Sequence, residues 1–405
     1  MTNQATKEFI NQHKNDDVKL LALKTKLPNV DYTFALQQIQ SLQMAVMKLP
    51  LWAATEGILY PIRLSMEQCS NEQTAQYKLH YIHQLIGKEL YSFADITGGF
   101  GVDCTYFSHY AKEINYVEMN CELCDIVQHN FCIFRESNTI NIPNDVNIHN
   151  TTAEEFIKEN SDKHFDFIYA DPARRGNLGQ KLISVADCQP NIIELQGQLL
   201  KMADWVMIKL SPMLDIKKAI SELNNVYEVL ILSTNNECKE LIIVLGQKTI
   251  NEPKITAVEI RNNNAQYITS GLLSTEHSTN TLYSTPLRYL YEPYAAQLKS
   301  GLFKTLTEQY NVSKISQHAH LYTSNEAITD FPGRMFIIDS VYPFAKKVMT
   351  KIVSSYPKAN IATRHFPLTA NDIHKRYKIN DGGDIYLFAT TTNDGNKILV
   401  VCHKT

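Results

Sequence analysis

Apolar residues in the first 88 positions recur at helical rather than alternating spacing. Phe34, Ala35, Leu36, Ile39, Leu42, Met44, Val46 and Met47 fit a period of about 3.6. Leu49-Pro50 predicts the end of that helix, because a residue preceding proline is steered away from the α region. Ser70-Asn71-Glu72-Gln73 predicts a capped start for a helix reaching about Leu85. From Tyr91 the pattern changes to short apolar runs. Residues 91–96, 114–118, 145–149, 165–170, 204–210, 226–232 and 240–246 predict strands. Amphipathic stretches at 102–111, 121–133, 153–159, 190–203 and 213–223 predict helices between the first six. Such alternation predicts an α/β fold whose parallel sheet is covered on both faces. Only Ser233–Lys239 separates the sixth and seventh strands, too little for a parallel crossover, so that pair is expected to be antiparallel.

Beyond residue 250, Lys254–Ile260 alternates as a strand does, and the polar stretch 262–284 reads as a linker or exposed excursion. Residues 285–331 read as helix then strand, with Tyr289–Glu308 helical. Pro332-Gly333 punctuates the chain. The remainder reads as strand, helix (Phe344–Ser354), strand, helix (Ala370–Tyr377), an Asp381-Gly382-Gly383 turn, and a hairpin of Ile385–Thr391 with Lys397–Cys402. The expected organisation is a helical segment at 1–88, an α/β domain at 89–284, and small α+β domains at 285–331 and 332–405.

A chain of 405 residues exceeds what one core usually holds. With 44% apolar and 20% charged residues it is neither collagen-like nor wholly disordered. No apolar run approaches the ~20 residues that span a bilayer. Met1–Asp17 has neither the apolar core nor the cleavage site of a secretory leader, so no membrane association and a cytoplasmic location are expected. The 8 cysteines are too sparse for a disulfide framework, and Cys121 and Cys124 form a lone CxxC. They read as packing thiols, and no metal is expected. Residues 332–405 carry 11 Lys and Arg against 5 Asp and Glu, whereas residues 1–331 carry 28 against 37. A basic end on an acidic body suggests a docking surface for a polyanion, though a solvated charged face would read the same way.

Candidate chemistry gathers where predicted strands end. Asp95-Ile96-Thr97-Gly98-Gly99-Phe100-Gly101-Val102-Asp103 is strand, glycine-rich turn, then helix, the arrangement that lets a ligand approach backbone N–H groups closely. A dinucleotide fingerprint starting at Gly99 would need glycine at position 104, which is Cys104, and this argues against a nicotinamide cofactor. Glu118 closes the second strand, where a carboxylate can accept hydrogen bonds from both hydroxyls of a ribose. After the fourth strand, Asp171-Pro172-Ala173-Arg174-Arg175 should face the ligand. There Asp171 can accept a hydrogen bond or orient a nucleophile, Pro172 stiffens the loop, and Arg174 and Arg175 offer forks for phosphates.

These residues resemble those of class I S-adenosylmethionine-dependent methyltransferases, whose Rossmann-like seven-stranded sheet closes with one reversed strand. Asp95–Gly101 resembles the family's Asp-x-Gly-x-Gly-x-Gly loop with Thr97 in the first glycine's place. Glu118 matches the ribose-binding acid, Thr151-Thr152-Ala153-Glu154 the adenine-side loop, and Asp171-Pro172 the catalytic loop. The resemblance implies a cofactor held by Asp95, Thr97, Gly98, Gly99, Gly101, Asp103, Glu118, Met119, Thr152, Ala153 and Asp171, with Asp171 and Pro172 at the reacting centre. Amino-group methyltransferases place proline and an aromatic where Ala173 and Arg174 stand, so the target atom stays open. Cys69–Ala75, the glycine loop and Asp171-Pro172 resemble, distantly, RNA guanine-N2 methyltransferases of the trimethylguanosine synthase type.

A resemblance over nearly the whole chain rests on Ile208–Asp215, Asn236–Leu241, Tyr291-Glu292-Pro293, Phe331–Arg334, His365–Thr369 and Asp381–Phe388. It is to bacterial methyltransferases with C-terminal ferredoxin-like and THUMP-like domains, and THUMP domains are associated with RNA. The expectation is therefore an S-adenosylmethionine-dependent methyltransferase acting on a base in tRNA or rRNA. Arg174, Arg175, Lys346, Lys347, Arg364, Lys375 and Arg376 would contact that RNA. The alternatives are the same chemistry on a protein or small molecule, and an inactive RNA-binding protein. Tyr342, Phe344, Phe366 and Tyr377, interleaved with the basic residues, read mainly as core. The sequence does not specify an oligomeric state.

Overall fold

The computed structural model describes residues 3–23, 26–174, 184–261 and 266–404. The chain divides into two compact units, residues 1–227 with 241–251, and residues 228–240 with 252–405.

The first unit begins with six helices: α1 (Gln4–His13), α2 (Val18–Ala22), α3 (Tyr32–Lys48), α4 (Pro50–Ala54), α5 (Arg63–Gln68) and α6 (Glu72–Ile86). In α3 the buried positions Ala35, Gln38, Ile39, Ser41 and Ala45 form the one-sided stripe expected of a helix laid on a core. Asp31 caps its start, accepting from Phe34 N. It ends at Leu49, and Pro50, which cannot donate to the ladder, opens α4 instead. The Asn71 side chain caps α6, accepting from Thr74 N at 2.8 Å.

The sheet of this unit follows. Its elements are β1 (Tyr91–Asp95), α7 (Val102–Phe107), β2 (Ala111–Val117), α8 (Cys121–Ser137), β3 (Asp145–His149), α9 (Ala153–Glu159) and β4 (Phe165–Ala170). Two short strands, β5 (Ala173–Arg174) and β6 (Cys188–Gln189), pair with each other, and α10 (Ile192–Met202), β7 (Ala203–Leu210) and α11 (Ile216–Glu222) continue the alternation. β8 (Val226–Thr234) is joined through Asn235 and Asn236, both at positive φ, to β9 (Glu237–Gly246). The order in the first unit is β3-β2-β1-β4-β7-β9, parallel except that β9 runs against β7. The chain leaves β1 toward β2 on one side and reaches β4 on the other, so the strand order reverses beside β1. Open α/β sheets bind ligands in the crevice at such a switch point. Register aligns the strand ends there, with Asp95 opposite Tyr116 on β2 and Tyr169 on β4.

The second unit contains β10 (Lys254–Ile260), parallel to β8, then β11 (Gln266–Gly271), antiparallel to β10, and α12 (Leu273–Ser278). A separate sheet follows, built from β12 (Tyr289–Pro293), β13 (Ser313–Lys314), β14 (Tyr322–Ser324), β15 (Gly333–Pro343), β16 (Asn360–Arg364), β17 (Ile385–Thr391) and β18 (Lys397–Lys404). Its order is β13-β14-β12-β15-β18-β17-β16. The helices are α13 (Ala295–Ser300), α14 (Phe303–Tyr310), α15 (Lys346–Ser355) and α16 (Ala370–Tyr377).

Two expectations are corrected here. The described part of 262–284 is not a linker or exposed excursion throughout: Gln266–Gly271 pairs with β10 as β11, and Leu273–Ser278 forms α12, whose buried Glu276 accepts from Lys304 N and Thr305 N. Tyr289–Glu308 is not helical throughout but begins as β12, a central strand hydrogen-bonded to both β14 and β15. Leu290 and Tyr291 are both fully buried, in two different clusters on opposite faces of the strand. A short run that is apolar on both faces carries no period, and pairing decides its state.

Glu292 on β12 is buried and ion-paired to Arg334, directly opposite on β15, and to Arg364 at the end of β16. One carboxylate thus ties three strands. Glu292→Gln removes the charge but little volume, and the half-exposed guanidiniums regain water. The expected loss is about 2–3 kcal/mol, the scale of a charge-assisted hydrogen bond, read as a lowered urea midpoint for the second unit.

Candidate functional site

The loop after β1 is hung from the end of β2. Gly98 N donates to Val117 O at 2.8 Å and Gly99 N donates to the Glu118 carboxylate at 2.9 Å. The second oxygen of that carboxylate accepts from Asn120 N at 2.8 Å. Tyr116 OH donates to Gly99 O at 2.5 Å. The Tyr116 ring fills the space where a side chain at Gly98 would stand, with its Cε2 atom 2.1 Å from an added Cβ. Gly98 is therefore required by close approach, and Gly101, at φ +76°, by the left-handed turn into α7.

Thr97, in the place of the family's first glycine, has a definite task. Its hydroxyl accepts from Asp171 N at 2.6 Å, joining the loop after β1 to the loop after β4. Asp95, buried at the strand's end, accepts from Thr97 N at 3.1 Å.

Around these loops lies a cavity of about 310 Å³. Every residue that the resemblance assigned to the cofactor lines it: Asp95, Thr97, Gly98, Gly99, Gly101, Asp103, Glu118, Met119, Thr152, Ala153 and Asp171. Pro172 is buried directly behind Asp171. Thr152 caps α9, its hydroxyl accepting from Glu155 N, so that oxygen already has a structural partner. Arg174 pairs through its backbone with Cys188, and Arg175 lies outside the described residues. In the second unit Lys346, Lys347, Lys375 and Arg376 are exposed on α15 and α16, whereas Arg364 is engaged with Glu292. Phe344, Phe366 and Tyr377 pack against the core under those two helices. Cys121 is exposed, and Cys124 is buried with its thiol donating to Glu118 O. No cluster of three or more metal-ligating side chains is found among the described residues. No described helix is long and apolar enough to cross a membrane.

Sequence reasoning placed Asp103 and Asp171 at the cofactor but assigned no role to Lys78, Tyr169 and Lys209, their partners beneath the cavity. Lys78 of α6 is 0% exposed and meets Asp103 at 2.8 Å. Asp103 also accepts from Ser70 Oγ at 2.7 Å and from Tyr169 OH at 2.6 Å. Lys209 of β7 meets Asp171 at 2.5 Å and donates to Ser70 Oγ at 3.1 Å. Ser65, Gln68, Cys69 and Ser70 also line the cavity, so the helical N-terminal segment forms one of its walls. The available signals were a lysine at a core position of α6, beside Leu79 and four residues before Ile82, and a lysine inside an apolar strand.

Titration follows from this packing. Burial pushes the Asp95 carboxyl well above its usual range, reinforced by the neighbouring acids Asp103, Asp171 and Glu118 and opposed by the Thr97 N–H. Burial acts in the same direction on Asp103, but Lys78 and Lys209 outweigh it and hold Asp103 down at about 2. Asp171 keeps 34% of its side chain exposed at the cavity mouth. Its surroundings still raise it, burial outweighing the pull of Lys209.

One family match, to a ferredoxin-like domain, covers residues 289–332, and a second, described as THUMP domain-like, covers residues 333–404. A solved structure from Porphyromonas gingivalis W83, described as a "putative methyltransferase", matches with 30% identity and a TM-score of 0.87 over 99% of this chain and 98% of that one. The chain belongs to that family. Other solved structures match more weakly. A 16S rRNA N2 G1207 methyltransferase of T. thermophilus, solved with AdoMet and guanosine, is 14% identical over 43% of each chain with a TM-score of 0.32. An rRNA methylase from Streptococcus thermophilus is 10% identical over 42% of this chain and 97% of that one, with a TM-score of 0.30. No curated protein matches.

The depressed carboxyl at Asp103 gives a pH test. A carboxylate with a lowered native pKa contributes stability above its unfolded value and loses it as pH falls through the native one. The Asp103 contribution should be complete above pH 3.8 and disappear toward pH 2. Thermal unfolding of wild type and of Asp103→Asn should therefore differ most near neutral pH and converge at the acid end of that window.

Proposed function

We propose that the chain is an S-adenosylmethionine-dependent methyltransferase acting on a base in structured RNA, tRNA or rRNA. The observation that carries the reading is Glu118. It is an acid at the second strand's carboxyl end, fixed by two backbone N–H groups and facing a cavity beside the sheet's switch point. The donor set suits that cofactor. A cavity of about 310 Å³ lies within the ~300–1,000 Å³ of ligand pockets. A buried Asp95 among three further acids calls for a cationic partner. Bound there, S-adenosylmethionine would supply an electrophilic methyl group, which passes to a lone pair of the target as the neutral thioether leaves.

The chain's own residues then bind and align. Glu118 accepts from the ribose hydroxyls, while Gly99 N and Asn120 N keep its carboxylate from turning. Asp95 and the glycine loop would receive the methionyl ammonium, and Thr152 and Ala153 at the start of α9 would hold the adenine end. Asp171 accepts a hydrogen bond from the target base. Thr97 holds the Asp171 backbone in place, and Pro172 stiffens the chain behind it. Alignment is the main requirement of such a displacement, and a misplacement of about 1 Å can cost ~100-fold.

RNA as substrate is supported by the second unit. Met349 and Ile352 of α15 and Ile373 of α16 are buried in one cluster, so both helices lie on one core. Lys346, Lys347, Lys351, Lys375, Arg376 and Lys378 are exposed on and beside them. Clustered cations of this kind neutralise phosphates with little regard to sequence. The THUMP-like family match at residues 333–404 points the same way.

Three measurements test the proposal. Calorimetric titration with S-adenosylmethionine should show binding that Glu118→Ala weakens by about 10–100-fold, equivalent to losing one charge-assisted hydrogen bond. Mass spectrometry of nucleosides from total RNA of cells with and without the gene should show one missing methylated species. Asp171→Ala should fail to restore it while retaining cofactor binding. Absence of heat at millimolar ligand sinks the reading. Independently, changing Lys346, Lys347 and Lys351 to glutamine should weaken RNA binding and flatten its log–log salt dependence by roughly one unit for each phosphate no longer neutralised. An unchanged slope would remove that surface from the RNA interface.

A further inference from the structure

We propose that Lys209 is a positioning residue for Asp171: its ammonium, seated on Ser70, holds the Asp171 carboxylate charged and fixed at the cavity mouth, ready to accept a hydrogen bond from the target. The role of that hydrogen bond rests on the methyltransferase reading, whereas the Lys209–Asp171 pair does not.

The distances decide which acid Lys209 serves. Its Nζ lies 2.5 Å from Asp171 Oδ2 but 3.9 Å from Asp103 Oδ2. Asp103 has its own ammonium, Lys78, at 2.8 Å, and hydroxyl donors in Ser70 and Tyr169. Lys209 helps to hold Asp103 charged from the longer range, but the nearest cation of Asp103 is Lys78 and that of Asp171 is Lys209. Asp171 has no second ammonium at comparable range among the described residues. Lys209 sits one residue before the end of β7, so its anchor is sheet backbone rather than loop. Ser70 accepts from both lysines and donates to Asp103, which fixes the ammonium from below. Asp171 is thus held twice, by Thr97 at its backbone N–H and by Lys209 at its carboxylate.

Charge explains why the second hold is needed. The charged and titratable groups that face Asp171 among the described residues include Lys209 on β7, Asp103 on α7, Lys78 on α6 and Asp95 on β1. Burial and Asp103 drive the Asp171 carboxyl toward its neutral form, and Lys209 is the principal force opposing them. A neutral Asp171 would lose much of its strength as an acceptor.

The experiment compares wild type with Lys209→Met, Lys209→Gln and Lys209→Arg. Infrared difference spectra at neutral pH should show a protonated carboxyl in Lys209→Met that vanishes in Lys209→Met/Asp171→Asn. Labelled S-adenosylmethionine and total RNA from cells lacking the gene serve as activity probes. Lys209→Met should lower kcat about 100-fold, with KM and cofactor affinity within a few-fold of wild type. It should move the acid limb of the kcat/KM profile to higher pH, and Lys209→Arg should restore both in part. Lys209→Gln, which keeps hydrogen bonding without charge, gives the same reading if the methionine variant folds poorly. An ionised Asp171 in both neutral variants, or an acid limb that does not move, overturns the proposal. If wild type itself fails to bind S-adenosylmethionine, the methyltransferase reading falls, and the infrared result still decides the Lys209–Asp171 pairing.

Discussion

Asp103 is the charge around which the first unit is arranged. A carboxylate this deeply enclosed costs several kcal/mol to desolvate unless ammonium and hydroxyl partners surround it. Those partners arrive from three directions: Lys78 from a helix of the N-terminal segment, Ser70 from the turn before that helix, and Tyr169 from β4. None is close to Asp103 in sequence. Satisfying one acid in the first turn of α7 therefore fixes where the helical segment sits against the sheet, and with it one wall of the cavity. Ser70 extends the network to Lys209 and from there to Asp171. Structural neutralisation of one carboxylate and preparation of another are parts of a single hydrogen-bonded cluster, which is why the cluster tolerates being buried.

The alternating part of the fold was legible because a parallel sheet covered on both faces writes itself as continuous apolar runs. β4 and α9 occupy the residues their patterns indicated, Phe165–Ala170 and Ala153–Glu159. Pro50 after α3 and Asn71 before α6 marked real boundaries. β12 misled because Leu290 and Tyr291 are buried on opposite faces, which removes any period. In the site, the glycine loop and Glu118 could be read because loop chemistry and strand ends are local properties. The tie from Thr97 to the Asp171 backbone could not, since it links residues 74 apart. Lys78 and Lys209 were obscured for another reason: a long aliphatic stem ending in a charge reads equally well as a surface residue reaching water.

The second unit handles its charge in the opposite manner. Glu292 draws Arg334 and Arg364 inward to tie β12, β15 and β16, while the lysines of α15 and α16 remain outside, borne on helices whose apolar residues share one core. Arginine count alone would have overstated the basic surface, because part of it is consumed internally.

The wall contributed by Ser65–Ser70 makes the helices ahead of the sheet inseparable from the chemistry behind it. A chain trimmed to begin at β1 would retain every strand and the whole glycine loop, yet it would leave Asp103 without its nearest cation and Lys209 without the hydroxyl beneath it. Such a fragment has the outline of the fold and lacks the charge balance that lets it close. Excising the sheet as a minimal catalytic module is therefore the wrong cut for this molecule.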